Sequence, residues 1–126
     1  MSDEFDELFR EKKVIIDKKA MVLVLRDLVV LSKAGGIIPQ IKLTKITHPQ
    51  KIVAVLLAKK VLALKLKQDE WTTPADIQKI TGLSAGNINP NLRLLERKKH
   101  VIISQNRKYT IPDYFIPRAI EILGDN

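Results

Sequence analysis

A stretch in the N-terminal third of the chain, residues 18–33, carries apolar residues on almost every face of a helix. Asp17 stands before it as a favourable N-cap, and Gly35 or Gly36 stands past its end. We therefore expect a helix over residues 18–33, buried either in a subunit interface or against the next helix. A strand is the alternative, because four of its residues are β-branched valines.

A second apolar stretch, residues 50–67, predicts a long helix, the first helix of the central domain. Thr47 and Gln50 have the spacing of a capping box, in which each side chain bonds the backbone N–H of the other. Residues 37–47, between the two stretches, are typical of a short extended segment or linker. Lysines lie at the edges of the second helix, either as a patch that follows a polyanion or as snorkelling stems around a buried helix. These are Lys51, Lys59, Lys60, Lys65 and Lys67.

Residues 72–112 alternate between helical and strand-like patterns. Thr73 marks the start of one helix, and Gly82 is placed to end it in a left-handed conformation. Ser84 is a favourable N-cap for the next helix, residues 85–98. The buried face of this second helix is predicted to consist of Ile88, Leu92 and Leu95.

Two short β-prone runs, residues 101–103 and 109–111, follow this helix and predict a hairpin. Residues 104–108 join the runs and give the hairpin a basic tip. Trp71 and Thr72 are expected to form a single strand that pairs with the hairpin, with Trp71 as a core anchor.

Pro90 interrupts the helix predicted over residues 85–98, because it lacks a backbone N–H and crowds the carbonyl of Gly86. Either the helix kinks at Pro90, or it starts late with Asn89 as the cap and Pro90 as its first residue. The second arrangement would place Asn87 and Asn89 on the turn.

Both ends of the chain carry amphipathic patterns. Phe5, Leu8 and Phe9 lie at i, i+3 and i+4 in an acidic segment, residues 2–13. We expect this segment to be a frayed or locally packed terminus, and the alternative is an arm that docks its two Phe residues on a partner subunit. Residues 112–124 predict a last helix of two or three turns, packed on the N-terminal helix or on a partner.

Composition and charge narrow the classes of function. The chain has 126 residues, a formal charge of +8 and 45% hydrophobic residues, which indicates a folded basic domain. Its positive charge suits either a polyanionic partner or a solubilising surface. With no Cys and two His, and without a phosphate-binding loop or a nucleophilic serine motif, we expect no enzyme activity, no cofactor and no metal site. Charged residues interrupt both apolar stretches, so we expect no membrane span and a cytoplasmic, nucleoid-associated protein.

The helix–turn–helix pattern within residues 72–112 depends on a small set of apolar and turn residues. These are Ile77, Thr81-Gly82-Leu83-Ser84, Ile88, Leu92, Leu95 and Val101. Their spacing resembles the winged helix-turn-helix superfamily of DNA-binding domains, in the style of repressors of the multiple-antibiotic-resistance and arsenical-resistance types. The resemblance spans residues 48–112 and implies a mainly α fold with a small β-hairpin, extended by helices at both ends. One departure is that such domains commonly have a small residue, often Gly, where Lys99 and His100 precede the first wing strand.

Because the helix predicted over residues 85–98 buries its apolar face, we expect its opposite, polar face to be exposed to solvent. Asparagine can pair bidentately with adenine, arginine can pair with guanine or a phosphate, and glycine lets the backbone approach closely. The candidate DNA-binding residues on this helix and its flanks are Ser84, Gly86, Asn87, Asn89, Asn91, Arg93, Arg97, Lys98 and Lys99. Arg107 and Lys108 at the hairpin tip complete the set, as wings contact phosphates or a minor groove in the proteins that the chain resembles.

The sequence therefore predicts three regions: an arm, apolar helix and linker for dimerisation over residues 1–47, a winged helix-turn-helix domain over 48–112, and a C-terminal helix over 113–126. We expect a homodimer that binds double-stranded DNA, sequence-specifically or architecturally, as a transcriptional regulator, with half-sites about one DNA turn apart. The alternative is a protein–protein interaction module of a replication, transcription or division complex, with a protein partner bound through the N-terminal region. RNA or single-stranded DNA is disfavoured by an aromatic content of 5%.

Overall fold

The computed structural model describes residues 16–124, which form a mainly helical fold with two small antiparallel hairpins. In chain order the elements are α1 (Lys18–Leu25), β1 (Val29–Leu31), β2 (Ile37–Pro39), α2 (His48–Leu66), α3 (Pro74–Thr81), α4 (Ala85–Arg93), β3 (Ile103–Gln105), β4 (Lys108–Thr110) and α5 (Ile116–Gly124). Short 3-10 segments cover Ile41–Lys45 and Asp113–Phe115, and a π-helical turn, Leu94–Lys98, continues α4. The predicted mainly α class with a small hairpin is confirmed, whereas the predictions for residues 2–13 lie outside the described residues.

Helix α2 lies at the centre of the core. Its residues 52–58 are buried in succession, because α3, α4 and α5 all pack on it. A helix enclosed on several sides needs apolar residues on every face, and each large aliphatic side chain buried there stabilises the fold by about 1.5–3 kcal/mol. The predicted capping box is confirmed: Thr47 Oγ1 accepts from Gln50 N at 3.3 Å, and Gln50 Oε1 accepts from Thr47 N at 3.0 Å.

The helix predicted over residues 18–33 ends at Leu25, so the prediction is wrong for its second half. Residues 29–31 form β1 and pair antiparallel with β2. For these residues the alternative prediction of a strand is therefore confirmed. Two consecutive β-branched valines favour this strand. Gly35, with φ at +90°, lies in the turn between the strands rather than past the end of a helix.

Helices α3 and α4 are joined by a tight turn, as predicted. At the start of α3, Thr73 Oγ1 accepts a hydrogen bond from Asp76 N at 3.2 Å. Gly82 ends α3 with φ at +75°, and its N–H donates to the carbonyl of Gln78 at 2.8 Å. Ser84 stands at the N-cap position of α4 in an extended conformation, but its side chain makes no capping hydrogen bond, so the expected cap is present in position only.

Pro90 lies inside α4, so the alternative in which the helix starts at Pro90 is wrong. Proline removes the usual donor to the carbonyl of Gly86, and this loss is tolerated because Gly86 is exposed to water. Beyond Pro90 the helix widens into the π-helical turn, where Lys99 N donates to the carbonyl of Leu94 at 3.0 Å. A π turn contains one more residue than an α turn, so a regular 3.6-residue period does not predict it.

The C-terminal hairpin is present, with its first strand two residues later than predicted. Asn106 and Arg107 form a two-residue turn in which both residues have positive φ, 51° and 61°, the geometry that matches the twist of a tight hairpin. Val101 and Ile102, predicted as strand residues, are instead buried residues of the segment that leads into β3. Their apolar side chains therefore contribute to the core rather than to strand pairing.

The single strand predicted at residues 71–72 is confirmed for one residue. Thr72 N donates to the carbonyl of Tyr109 at 2.9 Å, and Tyr109 N donates back to the carbonyl of Thr72 at 2.8 Å. Trp71 is only half-buried, so the prediction that it anchors the core is wrong.

Lys60 is buried in α2, contrary to the prediction that it lies at the edge of the helix with the other lysines. Its Nζ donates to Glu70 Oε2 and lies 2.6 Å from Asp113 Oδ1. Thr110 Oγ1 donates to the same Glu70 oxygen at 2.9 Å. Burial lowers the pKa of Lys60, but hydrogen bonds and charge from Asp113 and Glu70 outweigh this effect and hold the pKa above its usual value of 10.5. The charged lysine therefore joins α2 to β4 and to the segment before α5.

Helix α5 confirms the predicted last helix and packs on α1 and α2. Gln50 Nε2 donates to the carbonyl of Ile122 at 3.0 Å and ties the start of α2 to α5. Within residues 16–124, no helix has the length and apolar character that crossing a membrane requires.

Candidate nucleic-acid interface

Helix α4 and its π-helical continuation direct an apolar face to the core and a polar face to solvent. Ile88, Leu92 and Leu95 are each 1% exposed, and α4 packs on α2 and α3. The predicted buried face is therefore confirmed. The exposed candidate residues on this helix and its flanks are Ser84, Gly86, Asn87, Asn89, Arg93, Arg97, Lys98 and Lys99.

Asn91 differs from the other candidate residues. It is half-buried, and its side-chain Nδ2 donates to the carbonyl of Asn87 at 2.6 Å. Asparagine competes for backbone groups in this way when its side chain can reach a carbonyl one helical turn back. The structure thus places Asn91 at the side of the polar face, with one amide N–H already engaged.

The β3–β4 hairpin is fastened to the end of α4. Ser104 Oγ donates to Glu96 Oε2 at 2.5 Å, and this contact joins the first strand of the hairpin to the π-helical turn. Arg107 and Lys108 are both exposed, and Arg107 occupies the turn itself. The polar face of α4 and the basic tip are therefore carried by two elements in direct contact.

The chain between α4 and the hairpin turns at His100, whose φ is +50°. A residue with a Cβ is about 1–2 kcal/mol less stable in this left-handed conformation than in the right-handed one, so Gly would be favoured at this position. Arg118 Nη1 donates to the carbonyl of His100 at 3.2 Å, and its guanidinium lies 5.3 Å from the ring centroid of Phe115. Arg118 was not among the predicted site residues, because no sequence signal relates it to a turn 18 positions away.

The charge of this region is strongly positive. Residues 84–108 contain six Lys or Arg residues and a single acidic residue, Glu96. Glu96 is half-buried and its carboxylate is bonded to Ser104, so the one negative charge lies at the joint between α4 and the hairpin. Exposed cations in this arrangement can bind phosphates, and the amides beside them can bond base edges.

The lysines at the edges of α2 are separate from this region. Lys51 and Lys59 are half-buried, as expected for stems that lie along the core, and Lys65 and Lys67 are exposed. None of them belongs to α4 or to the β3–β4 hairpin, so we define the candidate interface without them.

Among the described residues, 16–124, there is no group of three or more His, Cys, Asp or Glu side chains that could hold a metal ion. Comparison of the chain with protein-family models, with curated proteins and with solved structures gave no match. The candidate interface therefore rests on its own residues: a core-anchored helix with an exposed polar face and a basic hairpin bonded to its end.

Proposed function

We propose that residues 48–112 form a winged helix-turn-helix domain that binds double-stranded DNA through α4 and the β3–β4 hairpin, in a transcriptional regulator. The observation that carries the proposal is the exposed polar face of α4, held by three buried aliphatic residues beside a cationic hairpin. The element order α2–α3–α4–β3–β4, with Thr72 pairing to the hairpin, is compatible with such a domain.

In this proposal α4 enters the major groove with its N-terminal half toward the base edges. Asn87 and Asn89 are exposed there and suit adenine, and Arg93 suits guanine or a phosphate. Each good bidentate pair discriminates against the wrong base by about 1–3 kcal/mol. Arg107 and Lys108 extend beside the helix to phosphates or the minor groove, where they add affinity without reading sequence.

The outer face of the β1–β2 hairpin supports a protein contact as well. Val30 and Ile38 are cross-strand partners, 48% and 50% exposed, and Ile41 just beyond β2 is 77% exposed. We propose that this apolar cluster joins two copies into a homodimer, which sets two half-sites about one DNA turn apart. In the second candidate function, the same cluster binds a different protein in a larger complex. A sizing column distinguishes the two: elution at the mass of one chain, 14.3 kDa, would favour the second function over the homodimer.

Fluorescence anisotropy with a random duplex tests the proposed DNA binding. With about four phosphate contacts, affinity should fall about 100-fold between roughly 50 and 200 mM salt, because counterions are released on binding. Replacing Arg107 and Lys108 together by Ala should weaken binding and reduce the slope of log K against log salt by about 2. Lys33→Ala with Lys45→Ala, two exposed lysines on other elements, is the matched control. An unchanged slope in the hairpin variant, or an equal change in the control, removes the hairpin from the interface.

Gly86→Ala separates stability from DNA binding. An added Cβ would meet only Ser84 Oγ, at 3.8 Å, so the variant should stabilise the helix by about 0.5–1 kcal/mol. The same methyl group stands on the exposed face, where we expect it to keep the backbone from the DNA and lower affinity severalfold. Urea unfolding and anisotropy measure the two effects. A variant that gains stability and keeps full affinity contradicts the close approach of this helix to DNA.

Gly82→Ala provides the contrasting control for the same measurements. Open space surrounds the added Cβ, but φ at +75° makes the substitution unfavourable by about 1–2 kcal/mol. This variant should therefore lose stability and retain affinity for the duplex at temperatures where it is folded.

A further inference from the structure

A groove runs between α1 and the C-terminal half of α2, with an apolar floor and a basic rim. It encloses about 270 Å³ and is lined by Lys18, Met21, Val22, Val61, Leu64 and Lys65. A shallower continuation follows α1 along Lys19, Leu23 and Arg26. Val22, Leu23 and Leu64 are 53%, 63% and 45% exposed, an unusual amount of water contact for neighbouring large aliphatic side chains.

We propose that this groove binds the acidic N-terminal segment of the same chain, residues 3–11. The charges are complementary: the segment contains five acidic residues and one basic residue, whereas every charged residue that lines the groove within the described chain is basic. The apolar groups are complementary too, since Phe5, Leu8 and Phe9 recur at the spacing that gives one apolar stripe. No other stretch of the sequence combines this many acids with two Phe residues.

The position of the segment in the chain favours binding within one molecule. Lys18 itself lines the groove, and Phe9 lies nine positions before it in the sequence. Nine residues of fully extended chain span about 30 Å. Helix α1 has eight residues and is therefore about 12 Å long, so the segment can reach the whole groove. A tether of this length gives an effective concentration on the order of millimolar, far above that of a second copy at micromolar protein.

This inference is independent of the proposed DNA binding, because none of the residues lining the groove lies on α4 or on the β3–β4 hairpin. Binding of the segment would cover the exposed aliphatic residues of α1 and α2 and neutralise the cations around them. The basic face at α4 and the β3–β4 hairpin would then remain as the surface available to a polyanion.

Cysteine cross-linking in the full chain tests the proposal, and the absence of native Cys makes it unambiguous. Arg10→Cys, next to the proposed apolar stripe, is combined with Leu64→Cys in the groove, or with Gln78→Cys on the exposed face of α3 as the matched control. With a short bismaleimide, the groove pair should give about tenfold more intramolecular product than the control pair, as expected for a tethered contact. Equal yields, or products only between chains, overturn the proposal.

Thiol labelling provides a second measurement that does not depend on the cross-linker. Leu64→Cys alone should react with a maleimide severalfold faster when Phe5 and Phe9 are both replaced by Ser, because the apolar stripe that covers Leu64 is lost. Glu4→Lys with Glu7→Lys should raise the rate as well, through repulsion between the altered segment and the basic groove. Labelling rates that are the same in all of these variants overturn the proposal.

Discussion

Arg93→Glu combined with Arg97→Glu should lower the affinity for duplex DNA by about 100-fold or more while the fold is retained. Both residues are exposed, one at the end of α4 and one in the π-helical turn, so neither supports the core. Loss of two cationic contacts to phosphates or bases and repulsion between the new carboxylates and DNA act in the same direction. Anisotropy with one duplex at low salt measures the affinity, and thermal melting by circular dichroism monitors the fold.

A control with the same change in net charge distinguishes direct contacts at the candidate interface from the long-range electrostatic attraction between the whole protein and DNA. Lys33→Glu with Lys45→Glu also lowers the formal charge of +8 by four, but on elements outside the candidate interface. We expect it to reduce affinity by less than about tenfold, through long-range attraction alone. Equal losses in the two double variants would mean that net charge, and not the face of α4, governs binding.

Replacement of Glu70 by Gln and Asp113 by Asn should destabilise the protein by about 3 kcal/mol. The lysine between them is 6% exposed in its side chain, whereas the two carboxylates are 34% and 48% exposed. Without its partners, Lys60 is an uncompensated buried charge. Lys60→Met should be far milder, about 1 kcal/mol or less, because both carboxylates are solvated once the lysine is gone. Urea unfolding at pH 7 compares the two, and a larger loss in Lys60→Met contradicts this account of the cluster.

The same cluster predicts a dependence of stability on pH. Because the pKa of Lys60 is held above its usual 10.5 in the folded protein, its contribution is fully present below pH 10.5 and is lost as pH rises through the folded pKa. The free energy of unfolding should therefore fall by more in the wild type than in Lys60→Met as the pH rises above 10.5, whereas between pH 7 and 10.5 the difference between the two proteins should stay constant. Parallel losses in the two proteins would show that other groups dominate the alkaline transition.

Local signals predicted the centre of the fold. The Thr47–Gln50 capping box, the Thr73 cap and Gly82 each fix a helix boundary through hydrogen bonds or backbone conformation within a few residues. Residues 29–31 were misassigned because an all-apolar run suits either a buried helix or a strand, and the pairing partner that decides is found only after the turn at Gly35.

The candidate interface was predictable where it depends on helical periodicity and not where it depends on distant partners. The buried face of α4 follows from its spacing alone, and its opposite face is exposed as that spacing requires. The π-helical turn, the engagement of Asn91 and the bond from Arg118 to His100 follow from backbone geometry and contacts that the sequence pattern does not encode. Lys60 was misplaced for the same reason, since its partners Glu70 and Asp113 are 10 and 53 positions away.

An NMR titration of the ¹⁵N-labelled protein with a short duplex tests most directly whether α4 and the β3–β4 hairpin form the DNA-binding surface. We predict that the amide shifts concentrate in residues 84–99 and 104–108, while the amides of α1 and of the β1–β2 hairpin keep their positions. Shifts that cluster on α1 or the β1–β2 hairpin, or a spectrum that does not change at saturating DNA, would contradict the proposed function.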